Sequence, residues 1–224
     1  MDILTAREGY RRWAPYYARE TAISHLETQL VDAMTPPLAG RRLLDAGCGT
    51  GRRLLDCGAA SAVGIDLSPE MLEAGIGIGR PRPTIDTLVG DIRALPLPDD
   101  EFDVVWCRLV IGHLPRCENA YAELARVAKP GGHVIVTDFH VAAHAAGHRR
   151  TFRDGETVQE IEHHLHSVGR QRAAAQDAGL TLIDQREATI GPEAFPFYRE
   201  ADRTALYEQH LGLPVVLALA FRRS

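Results

Sequence analysis

The chain has almost no lysine: of 25 lysine and arginine residues, Lys129 is the only lysine. Together with abundant alanine, this is a bacterial-like composition that reflects base content before function. Basic charge is also short. The 25 basic residues face 30 acidic ones for a net charge of −5, with histidine neutral. That excludes the basic face of a general nucleic-acid binder. Cysteine is sparse, and Cys48, Cys57, Cys107 and Cys117 form neither a C-x-x-C pair nor a zinc spacing. Reduced thiols in a cytoplasmic protein are the simplest account. No apolar run approaches the roughly 20 residues needed to span a bilayer. Met1-Asp2-Ile3-Leu4 lacks the basic-then-apolar start of a secretory signal. No internal repeat or long low-complexity segment is present. What these absences leave is a single domain of 224 residues with an ordinary 45% hydrophobic content and no expected nucleic-acid or membrane partner. The sequence carries no signal for oligomeric state.

What is present centres on Leu43-Leu44-Asp45-Ala46-Gly47-Cys48-Gly49-Thr50-Gly51-Arg52. It reads as a buried strand running into a glycine turn and then a helix. Gly47, Gly49 and Gly51 permit backbone angles that side chains forbid, and let a ligand lie against the main chain. The helix that follows would aim free N–H groups at that ligand. Asp45 sits two residues before Gly47. Asp66 closes the next strand, 15 residues beyond Gly51. A carboxylate there can accept both hydroxyls of a ribose.

In chain order, residues 5–34 read as helical with a break at Pro15, and Thr35-Pro36-Pro37 ends them. Strands follow at 41–46, 62–66, 85–89, 102–110 and 133–137, with helices at 52–57, from Ser68-Pro69-Glu70 onward, and at 119–128. The second of these helices fades in the glycines of 75–80 and in Pro81-Arg82-Pro83. The apolar run at 102–110 suits a strand buried on both faces of a parallel sheet. After Asp138 the alternation breaks. A short His- and Ala-rich helix at 140–148 precedes a hairpin at 150–166 with Asp154-Gly155 at its turn. Ser167 caps a helix to Ala178, residues 180–186 form a strand, 193–210 are mostly helical, and 214–221 form the last strand.

Five stretches together resemble the class I S-adenosylmethionine-dependent methyltransferases, the small-molecule "type 11" kind. They are LLDAGCGTGR (43–52), VGIDLSPEML (63–72), GDIRALPLPDDEFDVVWC (90–107), GHL (112–114) and ELARVAKPGGHVIVTDF (123–139). The resemblance implies an α/β fold with a doubly wound, mostly parallel seven-stranded sheet and an antiparallel last strand. It divides the chain into an N-terminal helical lid (1–36), a cofactor-binding core (37–138), a cap inserted after the fifth strand (139–166) and the rest of the core (167–224). It implies S-adenosylmethionine as cofactor and S-adenosylhomocysteine as product. The backbone of Gly47, Gly49 and Gly51 would border the cofactor's amino acid and ribose. Asp45 would sit near its ammonium and Asp66 on the ribose. Leu67 and Met71 would flank the adenine, Asp91 would accept from its amino group and Ile92 would pack on the ring. Cys107 and Arg108 would offer carbonyls to the methionine end, and Tyr16 or Tyr17 would close over the cofactor. Arg108 departs from the small polar residue often found there, which leaves open what its side chain reaches.

A sulfonium methyl is already activated, so alignment supplies much of the rate. A base is needed only if the acceptor is protonated. His113, after the fourth strand, and His140, after the fifth and beside Asp138, are the candidates, since histidine titrates near neutrality. His140, His144, His148, His163, His164 and His166 also invite a metal reading. A polar cap lining the acceptor pocket accounts for them without metal, and no metal is assigned. With Arg149, Arg150 and Arg153, such a cap would favour an anionic or phenolate-like acceptor. Phe197, Tyr198 and Arg199 would form another wall or core contacts.

The expected function is methyl transfer to oxygen or carbon of a small organic acceptor. Two alternatives are a non-methylating cyclase or binding protein on the same fold, and an NAD-dependent oxidoreductase. The second would want a third glycine where Arg52 or Leu54 stands.

Overall fold

The structure, a computed structural model, describes residues 3–17, 19–76 and 84–224. The stretch expected to end the helix after Ser68, residues 77–83, lies outside these. The chain opens with β1 (Ile3–Leu4), α1 (Ala6–Trp13), a 3-10 turn at Ala14–Tyr16 and α2 (Ala22–Met34). The nucleotide-fold alternation is β2 (Arg42–Ala46), β3 (Ser61–Asp66), α3 (Pro69–Ile76), β4 (Ile85–Val89), β5 (Phe102–Arg108), α4 (Glu118–Val127) and β6 (Ala128–Phe139). Then come α5 (Val141–Ala145), β7 (Thr151–Asp154), β8 (Thr157–Ile161), α6 (Val168–Asp177), β9 (Leu180–Thr189), α7 (Phe195–Glu200), α8 (Thr204–His210) and β10 (Pro214–Arg223).

The main sheet has seven strands in the order β4-β3-β2-β5-β6-β10-β9. Only β10 runs against its neighbours. Its middle strands are buried on both faces because successive side chains point to opposite sides. On β5, Val105 and Cys107 enter a core with α4 and α6, while Val104 and Trp106 pack against α2 residues Val31 and Met34. The strand order reverses between β2 and β5. A crevice opens beyond the carboxyl ends of the strands at such a switch point.

Four local expectations are corrected. The helix expected at 52–57 shrinks to a 3-10 turn, Arg52–Leu54, pinched between left-handed Gly51 (φ 67°) and Gly58 (φ 75°). The fourth expected strand ends at Arg108 rather than at residue 110, because Leu109 takes φ 58°. The N-terminal segment is not purely helical. Ile3 and Leu4 pair in parallel with Glu160 and Ile161, so β1 joins the β7–β8 hairpin in a second, three-stranded sheet. The hairpin expected at 150–166 ends at Ile161, and residues 162–167, with His163, His164 and His166, lie outside any strand. Among the described residues, no helix is long and apolar enough to cross a membrane.

Candidate active site

The crevice holds a cavity of about 360 Å³ at the carboxyl ends of β2, β3 and β5. Its floor is the glycine turn. Gly47 (φ 85°) leaves no room for a side chain: a Cβ there would fall 2.3 Å from Val110 Cγ2. Gly49 (φ 60°) lies against Met71 and the Tyr17 ring. The Gly49 N–H donates to Asp66 Oδ2 at 2.7 Å and the Ser68 N–H donates to Asp66 Oδ1 at 2.9 Å. These bonds lock the Asp66 carboxylate at the cavity wall, and burial raises its pKa above the usual range. Leu67, Met71 and Ile92 form an apolar slot beside it. Asp91 also lines the cavity, but both its oxygens are held by the Arg93 guanidinium, at 2.5–3.1 Å, which lowers its pKa.

Asp45 lies deeper, at the end of β2. It is 1% exposed, burial pushes its carboxyl up to about 6, and its Oδ1 has no hydrogen-bond partner. An orphaned carboxylate oxygen under bare glycine backbone is what an ammonium-bearing ligand would satisfy. The donor and acceptor set therefore fits S-adenosylmethionine: a ribose acceptor, an apolar slot for a flat ring, and an acid beneath the amino-acid end.

The other expected residues divide. Tyr17 lines the cavity, whereas Tyr16 is 63% exposed and points away from it. Cys107 does not line it; its side chain is buried in the sheet core. Arg108 lines it only at its base. Its guanidinium turns inward and grips Glu27, with Nε donating to Oε1 at 2.9 Å and Nη2 to Oε2 at 2.7 Å. Glu27 also accepts from Thr137 Oγ1 and Arg53. The Arg108 side chain thus reaches neither substrate nor solvent.

His113 faces the cavity in a defined state. The Glu162 carbonyl can only accept, so His113 Nδ1 donates to it at 3.3 Å. Nε2 therefore carries the lone pair and accepts from the Tyr10 hydroxyl at 3.1 Å, while Tyr10 oxygen accepts from Arg150 Nη1 at 2.5 Å. Burial first, then the nearby Arg150 charge, holds the His113 pKa well below its usual value, so the ring is neutral. His140 lines neither this cavity nor the one that adjoins it. It is the N-cap of α5, its Nδ1 accepts from the Ala142 N–H at 3.1 Å, and its Nε2 faces Glu187 at 3.4 Å. The Nδ1 lone pair of His140, expected as a base, is engaged in this structure by the cap of α5. Among the described residues, no three His, Cys, Asp or Glu side chains gather as a metal site. His148 instead bonds His210 at 2.8 Å.

A second cavity of about 480 Å³ adjoins the first. Tyr17, Arg53, Leu109 and Arg150 line both. Trp13, Phe139, Phe197 and Tyr198 give it aromatic walls. Sequence reading named Arg150 only as one of three arginines of the cap, and it placed neither Tyr10, which lines the first cavity, nor Glu27, which lies behind it holding Arg108. The only hint for Tyr10 is its place in the aromatic cluster near the start of the chain; Glu27 carries none.

A sequence pattern described as "Methyltransferase domain" matches residues 44–136. A 27-O-demethylrifamycin SV methyltransferase from Amycolatopsis mediterranei is 31% identical over 203 residues, covering 86% of this chain and 71% of the relative. A malonyl-[acyl-carrier protein] O-methyltransferase from Dechloromonas aromatica is 33% identical, covering 82% and 68%. The crystal structure of an S-adenosylmethionine-dependent methyltransferase from Mesorhizobium loti superposes with a TM-score of 0.69 at 23% identity, covering 90% of this chain and 100% of that one, which shows the fold. With the glycine turn, the acid ending β3 and this strand order, these relationships establish that the chain belongs to the S-adenosylmethionine-dependent methyltransferases.

Proposed function

We propose that the enzyme transfers the methyl group to an oxygen of a small acceptor seated in the larger cavity, with the cofactor in the smaller one. The observation that carries this reading is the pair of joined cavities, one walled by Asp66 and bare glycine backbone, the other by aromatic side chains. When bound, S-adenosylmethionine supplies a methyl on a sulfonium, an already activated leaving group. In this reading Asp66 accepts from the ribose hydroxyls, and Asp45 Oδ1 faces the ammonium. Leu67, Met71 and Ile92 hold the adenine, with Asp91 accepting from its amino group. Gly47, Gly49 and Gly51 border the amino acid and ribose. The strand-end carbonyls of Cys107 and Arg108 face the methionine end. Tyr17 closes the boundary between the two ligands. Residues 1–36 act as a lid and 139–166 as a cap.

His113 acts through Tyr10. Tyr10 and His113 line the smaller cavity, so the acceptor hydroxyl must reach past Arg150 at the junction; its proton then passes to the Tyr10 oxygen as Tyr10 gives its own proton to His113 Nε2. The neutral imidazole is in the state that can receive it. The four free thiols support a cytoplasmic setting, and the acidic balance supports a small-molecule rather than a nucleic-acid partner.

The test is Asp66→Ala measured by calorimetry with S-adenosylhomocysteine. Loss of a hydrogen-bond acceptor of full charge is worth ~1.5–3 kcal/mol, roughly ten- to a hundredfold in affinity. Unchanged affinity would reject the ribose role.

A further inference from the structure

Buried guanidiniums are handled in two different ways in this molecule. Arg108 is 5% exposed and is neutralised by a bidentate carboxylate, Glu27. Arg150 is 9% exposed, stands where the two cavities meet, and has no such partner. Its Nη1 donates to the Tyr10 hydroxyl and its Nη2 to the Leu109 carbonyl at 3.3 Å, both neutral groups. Its face lies 4.8 Å from the centre of the Phe139 ring. Its Nε is buried without any acceptor. Among the described residues, no carboxylate makes an ion pair with it. Asp138 is near enough for the Arg150 charge to act on its titration. The Asp138 oxygens are already taken, Oδ1 by the Phe139 N–H and Oδ2 by the Gln171 amide.

A desolvated cation that the chain leaves uncompensated is costly unless a ligand brings the opposite charge. The surroundings point the same way. Seven arginines and two glutamates line the larger cavity, in a chain whose net charge is −5. Three of these arginines have carboxylate partners, Arg19 with Glu200 at 3.3 Å, Arg53 with Glu27 at 3.2 Å and Arg149 with Glu160 at 3.8 Å. Arginine still outnumbers carboxylate along this cavity wall, which raises the local concentration of anions. The aromatic walls ask for an apolar body on the same ligand.

We propose that Arg150 is the receptor for an anionic oxygen group of the acceptor, and that the enzyme's acceptors carry a carboxylate or phenolate on an aromatic or apolar body. This rests on the reading of the larger cavity as the acceptor site. The planar fork offers its free Nε–H to such a group, with Tyr10 and Phe139 fixing its orientation. Arg150 is then a specificity-determining residue. It also links acceptor binding to the proton path, since its Nη1 donates to the hydroxyl that bonds His113.

The experiment measures binding to protein saturated with S-adenosylhomocysteine. The probes are salicylate- and naphthoate-type aryl carboxylates and their shape-matched carboxamides. The wild type is expected to bind the carboxylates at least about tenfold tighter than the amides, as charge-assisted bonds require. Arg150→Met is expected to abolish that preference while keeping affinity for S-adenosylhomocysteine within about threefold. Arg150→Lys is expected to retain part of the preference. Equal affinities in the wild type, no measurable carboxylate binding, or an undiminished preference in Arg150→Met would overturn the proposal. So would a tenfold loss of S-adenosylhomocysteine affinity in Arg150→Met with the acceptor preference intact, because the guanidinium would then serve the cofactor's own carboxylate. If the carboxylates instead bind without competing with a methylated acceptor, the acceptor assignment of the cavity fails, and this proposal with it.

Discussion

Removing the Glu27 side chain is expected to be the most damaging single change outside the cavity itself. Glu27 is fully buried on α2 and accepts from Arg108 at 2.9 and 2.7 Å, from Thr137 Oγ1 at 2.9 Å and from Arg53 at 3.2 Å. In Glu27→Ala, the buried Arg108 guanidinium keeps, among the described residues, the Thr28 hydroxyl at 3.1 Å and the Trp106 ring at 5.2 Å, but no carboxylate in contact. Stranding one partner of a buried pair costs ~3–5 kcal/mol. For a chain of this size each kcal/mol lowers Tm by ~2–4 °C, so the loss should be roughly 6–20 °C in a thermal melt. Replacing both partners, Glu27→Leu with Arg108→Met, should recover most of that loss, because no charge is left unpaired. The pH dependence gives an independent arm. Burial alone would raise the Glu27 carboxyl, but Arg108 and Arg53 overcome it and hold its pKa below the usual range. A depressed folded value means the stabilisation is complete above the unfolded value of roughly 4.3 and is lost as pH falls through the folded value. The gap between wild type and Glu27→Gln should therefore be widest near neutrality and close in acid. A Glu27→Ala protein within 1 kcal/mol of wild type in urea titration, by order-of-magnitude comparison with the cost above, or a double variant losing the sum of both singles, would refute the reasoning.

Two further outcomes follow from geometry already given. Gly47→Ala combines a left-handed backbone with a Cβ placed 2.3 Å from Val110 Cγ2. It should cost ~1–3 kcal/mol of stability and displace the turn, so calorimetry should show weakened cofactor binding; wild-type affinity would contradict this. Burial pushes the Asp138 carboxyl up to about 7. In NMR it should titrate near neutrality. Because its folded value is raised, its contribution to folding declines as pH climbs from roughly 4 towards 7, and a midpoint below 5 would refute the assignment.

The sheet was legible because its cause is local. The runs of apolar residues at 43–46, 62–65 and 102–107 and the punctuating glycines give a parallel strand and its turn without reference to anything distant. Asp66 could be placed for the same reason, since it ends a strand. The Arg108–Glu27 pair could not, because it joins residues 81 apart: Arg108 stood out at its strand end, but nothing in its own segment named Glu27 as its partner. For His140, chemistry and capping want the same feature, a lone pair just beyond a strand. The next residues begin a helix, and its free Ala142 N–H takes that lone pair. The expected helix at 52–57 failed on length: between two glycines there is room for one turn only.

The pairing of β1 with β8 has a consequence for the order in which the molecule is made. Ile3 and Leu4 leave the ribosome long before their partners, Glu160 and Ile161. At ~5–20 residues per second, the first strand waits roughly 8–31 s for its mate to be synthesised. Gly9 of α1 also has its contact there, against Ile161. The central sheet strands through β6 can be paired well before that moment. Closing so long a stretch of chain is slow, and it gains nothing until its far end arrives. The wall carrying Tyr10 and Tyr17 is thus the last of the smaller cavity to be set in place, so a chain stalled before Glu160 would present strands β2 to β6 with an open, unsealed ligand face.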